Sequence, residues 1–192
     1  MKKLKDLLFA RVRHTCPWWL CFTFDNPLRK LFHDPQKILS PYVLKGSVVL
    51  DIGPGMGFFT IPMARMVGTN GRVVAADIQP QMLETLKKRA NHHGVTDQVT
   101  THLSKPDSLG LEMQADFILA FWMVHEVQDK QKFFRELQSI LKPGGLMLIA
   151  EPVLHVSDKM FSNISSIALE AGFMIKERPE IRGSRAIILT RI

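Results

Sequence analysis

From Ser47 onward, short apolar runs alternate with longer amphipathic stretches. Ser47-Val48-Val49-Leu50-Asp51-Ile52 is a continuous apolar run interrupted only by a carboxylate near its end, the pattern of a strand buried on both faces. A glycine loop follows, then a helix expected over 57–67. Arg72 to Ala76, closing on Asp77, reads as a second strand, and Pro80 opens a helix reaching about His92, a favoured use of proline in a first turn. Residues 98–103 suit a short third strand and Asp116 to Phe121 a fourth. Lys130 to Leu141 carries apolar residues at helical spacing and is closed by Lys142-Pro143-Gly144-Gly145, a stop signal. Leu146 to Ala150 predicts a fifth strand and Asp158–Ala171 a further helix. Two last strands, near Phe173–Glu177 and Ala186–Arg191, predict an antiparallel hairpin at the sheet edge. Strands alternating with helices argue for an α/β fold with a mostly parallel sheet covered on both faces.

Residues 1–40 break this rhythm. They carry Pro17, Pro27 and Pro35 and show no strand pattern, so the chain divides into an N-terminal helical extension (1–40) and an α/β domain (41–192). Charge sharpens the division. The chain's formal charge is +7, and residues 1–45 hold nine Lys/Arg against three acids, a balance of +6. Such a segment suits an anionic partner or a solvated face. Leu7-Leu8-Phe9 beside Lys2, Lys3 and Lys5 also suits contact of residues 1–13 with an anionic membrane surface. No apolar run approaches the roughly 20 residues of a spanning helix, and no signal peptide is legible, so a cytoplasmic location is expected. Cys16 and Cys21 make no disulfide framework, and with His14 they form too irregular a set to predict a metal site.

The chemistry concentrates in Val49-Leu50-Asp51-Ile52-Gly53-Pro54-Gly55-Met56-Gly57-Phe58. Glycines at alternate positions let a backbone turn sharply and approach a ligand closely. The next helix aims its N-terminus at the loop, where free N–H groups favour an anionic group such as an amino-acid carboxylate. Asp51 is a candidate for the ligand's ammonium. Asp77 stands 20 residues after Gly57 at the end of the second strand, where a carboxylate can accept both hydroxyls of a ribose. A nicotinamide dinucleotide fits less well, because its fingerprint wants glycine where Phe58 stands. No Gly-Lys-Ser/Thr follows the loop, which excludes a phosphate-binding loop of the nucleotidase kind.

Asp51-Ile52-Gly53-Pro54-Gly55-Met56-Gly57 resembles motif I of class I S-adenosylmethionine-dependent methyltransferases, and Asp77-Ile78-Gln79-Pro80 resembles their ribose-gripping acidic motif. Ala115-Asp116-Phe117, His125-Glu126-Val127 and Leu141-Lys142-Pro143-Gly144-Gly145 are similar to the type 11, or UbiE-like, branch. The resemblance covers about residues 40–192. It implies a Rossmann-like seven-stranded sheet of order 3-2-1-4-5-7-6 that binds S-adenosylmethionine across the tips of strands 1, 2 and 4. It gives Asp51, Gly53, Gly55 and Gly57 to the methionine end, Asp77 to the ribose and Ile78 to the adenine face, with Phe121 at the tip of strand 4. Relatives often place an acid after strand 3 for the adenine amino group. Here Lys105 stands about there, within Ser104-Lys105-Pro106-Asp107, so its backbone or Asp107 must serve.

A sulfonium methyl is already activated, so the absence of an obvious catalytic group does not count against transfer. A small-molecule or lipid-like acceptor is expected. Phe121-Trp122-Met123-Val124 replaces the Asn/Asp-Pro-Pro-Tyr typical of base-amine methylation, and no cysteine follows residue 21, so a nucleic-acid substrate is disfavoured. His125 and Glu126, just past strand 4, are the candidate catalytic residues, expected to act through position more than proton transfer, with Glu151 a third candidate. Trp18, Trp19, Phe22 and Phe24 are spare aromatic material for an acceptor lid. Two alternatives stay open: a non-catalytic cofactor-binding module, and a nucleic-acid or protein methyltransferase that uses the basic N-terminal segment. Nothing in the sequence fixes an oligomeric state.

Overall fold

The computed structural model describes residues 32–191. A short helix, α1 (Pro35–Leu39), starts where the Asp34 side chain accepts from the N–H groups of Gln36 and Lys37 and Pro35 fixes the first turn. The elements that follow are β1 (Val48–Ile52), α2 (Thr60–Val67), β2 (Arg72–Asp77), α3 (Pro80–His92), β3 (Val99–Leu103), β4 (Ala115–Phe121), α4 (Lys130–Ile140), β5 (Leu141–Pro152), α5 (Asp158–Glu170), β6 (Phe173–Glu177) and β7 (Ser184–Arg191). They form a seven-stranded sheet of order β3-β2-β1-β4-β5-β7-β6, as expected. The first five strands run parallel, and β7 pairs antiparallel with both β5 and β6.

Alternation along the strands splits the core into two layers. Leu50, Ile52, Ile118, Ala120, Met147 and Ile149 face one way, onto Phe134 and Leu137 of α4 and Phe161 and Ile164 of α5. Val49, Val73, Phe117, Leu119, Leu148 and Ile188 face the other way, onto α1, α2 and α3 through Leu39, Met63 and Leu86. Strands buried on both faces explain why they read as unbroken apolar runs.

Two boundaries differ from expectation by three residues or more. The helix expected from Gly57 begins at Thr60, because residues 55–59 are spent on turns and Gly57 N–H bonds back to Pro54 O at 3.0 Å. The fifth strand starts earlier than Leu146. Leu141 already pairs with Ala115, and the register then jumps to Phe117↔Leu146, so the Lys-Pro-Gly-Gly segment is an irregularity within the strand rather than a separate turn. No helix among the described residues is long and apolar enough to cross a membrane. His14, Cys16, Cys21, the N-terminal aromatic residues and the basic 1–13 segment lie outside the described residues, as does most of the expected helical extension.

Candidate functional site

The carboxyl ends of β1, β2 and β4 meet at a cleft of about 300 Å³. Crevices outside strand ends, where the order reverses, are the binding places of such sheets. Gly53 and Gly55 form one wall, Asp77, Ile78 and Met82 a second, and Trp122, Met123 and Glu126 a third. The loop from Ser104 to Leu109 closes the far end and includes Lys105 and Asp107.

The glycine loop has left-handed backbone, with φ of 67° at Gly53, 54° at Gly55 and 93° at Gly57. The three glycines serve different ends. A Cβ at Gly57 would stand 2.4 Å from Leu86 Cδ1, so this residue lets α3 close on the loop. A Cβ at Gly55 would meet nothing within 4 Å, and Gly55 lines the cleft; a ligand can lie where that side chain would project. Gly53 N–H donates to Ala76 O at 2.9 Å and binds the loop to β2.

Asp77 is the charged centre of the cleft. Its side chain is buried, its Oδ1 accepts Gln79 N–H at 2.9 Å, and the backbone N–H groups of Ile78 and Gly55 also stabilise its charge. Burial outweighs these donors and pushes its pKa from 3.8 up to about 6. A buried carboxylate with unspent acceptor capacity beside a glycine wall fits a ribose bearing two hydroxyls. Ile78, partly exposed within the cleft, offers an apolar face to a base.

Three expected site residues lie elsewhere. Asp51 is 2% exposed beneath the loop, where its Oδ2 accepts the Thr60 hydroxyl at 2.6 Å. It belongs to the strand face that meets α2, and it ties β1 to that helix rather than lining the cleft. Gly57 shapes the loop from behind. Phe121 shares the face of Phe117 and Leu119 and packs against Phe59 with ring centroids 4.5 Å apart. The residue after it reaches the cleft instead. Trp122 has φ of 62°, the one positive value at a non-glycine among the described residues. Its N–H donates to Ala150 O at 2.7 Å and its indole Nε1–H to Ser184 Oγ at 2.9 Å. Strained backbone held at a site by its surroundings is a mark of function. No sequence signal foretold that twist.

The two candidate catalytic residues part company. Glu126 lines the cleft. His125 turns toward the end of β5, where Glu151, fully buried, holds it twice: Glu151 Oε1 accepts His125 backbone N–H at 3.2 Å, and Oε2 lies 2.5 Å from His125 Nδ1. Burial draws the imidazole pKa down, but the Glu151 hydrogen bond and charge, with Glu126 adding, carry it above 6.5. No cluster of three metal-ligating side chains occurs among the described residues.

Residues 44–178 match the protein family described as a methyltransferase domain. The ubiquinone/menaquinone biosynthesis C-methyltransferase UbiE of Enterobacter sp. (strain 638) is 33% identical over 127 residues, 64% of this chain and 51% of that one. The chain thus spans about half the length of the curated relatives it matches. A SAM-dependent methyltransferase from Aquifex aeolicus superposes with a TM-score of 0.83 at 25% identity, covering 93% of this chain and 100% of that one. Aeropyrum pernix fibrillarin, solved with natively bound S-adenosyl-L-methionine, shares the fold at a TM-score of 0.62 and 18% identity, over 77% of this chain and 68% of that one. With the seven-stranded sheet in its expected order and the glycine loop and Asp77 gathered at one cleft, these likenesses show that the chain belongs to the methyltransferase domain family, in its class I S-adenosylmethionine-dependent form.

Proposed function

We propose that the protein transfers the methyl group of S-adenosylmethionine to a small aromatic acceptor of quinol type. The observation that carries the reading is the buried Asp77 carboxylate facing a cleft walled by Gly53 and Gly55. In this reading Asp77 holds the ribose, Ile78 lies against the adenine, and the Ser104–Leu109 loop closes over its edge. Lys105 N–H and Ser108 N–H are engaged with each other's carbonyls, at 3.0 and 3.3 Å, so the loop acts as a preformed wall. Gly53 and Gly55 admit the methionine end, while Asp51 and Gly57 keep the loop in shape. The cofactor supplies an electrophilic methyl that needs no further activation, which leaves alignment and exclusion of water to the protein. Trp122, Met123 and Glu126 line the cleft on the side where an acceptor would meet it. The quinol class is supported by the curated relatives, whose names specify C-methylation in ubiquinone and menaquinone biosynthesis.

Methyl-labelled cofactor, incubated in turn with 1,4-naphthohydroquinone, an aliphatic amine and transfer RNA, tests the reading. Label in the hydroquinone is the expected result. Label in RNA alone would replace the acceptor class, and tight cofactor binding with no transfer to any acceptor would point to a binding module.

A further inference from the structure

Beyond the cofactor cleft, the described residues place one more buried carboxylate at the carboxyl edge of the sheet. Glu151 ends the apolar part of β5 with no solvent exposure, and both its oxygens are committed to His125. An ionised carboxylate only accepts hydrogen bonds, so the bond at Nδ1 requires a proton there. That fixes the neutral tautomer: Nδ1 carries the hydrogen and Nε2 the lone pair. Among the described residues Nε2 makes no hydrogen bond, and its nearest charged neighbour is Glu126 Oε1 at 4.0 Å. The His125 side chain keeps 20% exposure, enough to be reached. A base held in one tautomer by a buried acid, with its other nitrogen accessible, is the arrangement that proton abstraction requires.

We propose that His125 Nε2, 4.0 Å from the cleft-lining Glu126, is the general base for an acceptor at the rim of the cleft and Glu151 its positioning residue, so that the acceptor arrives as a protonated oxygen acid such as a phenol or hydroquinone. This deepens the acceptor reading above and rests on it. The acceptor O–H bond breaks, an Nε2–H bond forms, and the electron pair stays on the acceptor oxygen, enriching the ring; a ring carbon then takes the methyl group as the S–CH3 bond breaks to leave S-adenosylhomocysteine, and that carbon loses its proton as the oxygen regains one, so that one proton is released overall. The resulting imidazolium is offset by the Glu151 charge, and its proton later leaves to solvent. Among the described residues, charged groups from three segments act on the ring. Glu151 of β5 and Glu126 beside it favour the charged form, Lys130 at the start of α4 opposes it, and His155 of the loop after β5 lies with its ring centroid 6.4 Å away. Lys130 is tied down by donating Nζ–H to Val127 O at 2.6 Å. The proposal departs from the expectation that His125 acts mainly through position.

Two measurements test the pair. Nitrogen-15 histidine NMR of the full chain with S-adenosylhomocysteine, with the His125 signal assigned through His125→Gln, should show the imidazole titrating above 6.5 and moving down in Glu151→Gln. That variant keeps an acceptor for Nδ1–H but removes the charge, so an unmoved titration would show that Glu151 does not act on the ring and would overturn the proposal, while the matching shift of the rate inflection separates a catalytic pair from a structural one. Single-turnover transfer to 1,4-naphthohydroquinone should rise through the same inflection in wild type and shift with it in Glu151→Gln. It should fall about 100-fold or more in His125→Gln, with cofactor affinity retained. A His125→Gln protein within tenfold of wild type, or one that keeps the inflection, would also overturn it. Wild type that binds cofactor yet leaves the hydroquinone unlabelled would instead refute the aromatic-acceptor reading and the substrate class named here. Orientation by Glu151 would then stand or fall on the NMR titration.

Discussion

Asp77, proposed above to hold the ribose, is buried at a cost in stability. Its pKa of about 6 in the fold exceeds the 3.8 of a free side chain, so the protonated form is favoured by folding. The contribution to stability is fully present below pH 3.8 and is lost as pH rises through about 6, where the penalty of burying the charge approaches ~3 kcal/mol. Asp77→Asn keeps the acceptor for Gln79 N–H and removes the charge. Without ligand it should therefore be more stable than wild type by about 1–3 kcal/mol at pH 7.5 and no more stable near pH 3.5, as read by urea unfolding. A neutral-pH loss of stability would show that the carboxylate is held by partners stronger than its burial. The glycines make a paired prediction. Gly57→Ala forces a side chain at φ 93° against Leu86 and should cost roughly 1–3 kcal/mol of stability. Gly55→Ala, which meets no neighbour but must hold φ 54°, should cost only the backbone strain of about 1 kcal/mol, less than Gly57→Ala, yet bind cofactor markedly more weakly, because its methyl group enters the cleft. Equal binding losses with unequal stabilities would contradict this division of labour.

At the scale of elements, the sequence was most legible where one structural demand dominates. Buried parallel strands must be apolar on both faces, and β1, β2 and β4 lie within a residue of their expected bounds. The glycine loop and the end of β2 were readable because only certain residues tolerate those positions. What escaped depends on pairing between distant segments. Val49 and Asp51 of β1 stand opposite Phe117 and Leu119 of β4, so Asp51 and Phe121 share one face, the face that α2 covers. The alternation was visible, but which face carries the cofactor was not. The twist at Trp122 was equally hidden, since it is enforced by Ala150 and Ser184 across the sheet. A similar long-range tie holds the loop after β5. Arg185 of β7 donates Nη1–H to Val153 O and Val156 O, at 3.3 and 2.8 Å, and Nε–H to Asp158 Oδ1 at 2.5 Å. This clamp presents Leu154, 91% exposed, and places His155 near His125. Arg185→Ala should raise amide exchange through residues 153–158 and leave the Gly53–Gly57 loop unchanged. Uniform acceleration across the sheet would mean that Arg185 stabilises the whole fold instead.

For the whole molecule, the cleft is lined by residues at the ends of β1, β2, β3 and β4. A ligand bridging them binds the folded state alone, and mass action then raises stability. Cofactor at 100 times its dissociation constant should add about 2.7 kcal/mol, seen as a rise of roughly 5–10 °C in Tm for a domain of this size. The central claim is narrower: one cofactor sits in this cleft, gripped by Asp77. Titration calorimetry of S-adenosylmethionine into wild type and Asp77→Asn, from pH 5 to pH 8, tests it most directly. The account predicts one site per chain and wild-type affinity that falls as pH drops through about 6, where the carboxylate gains its proton. It predicts a loss of about 10- to 150-fold at pH 7.5 in the variant, from two hydrogen bonds that are no longer charge-assisted and together contribute ~1.5–3 kcal/mol. Equal affinity of a folded Asp77→Asn protein across that range, or no binding by wild type, would contradict it.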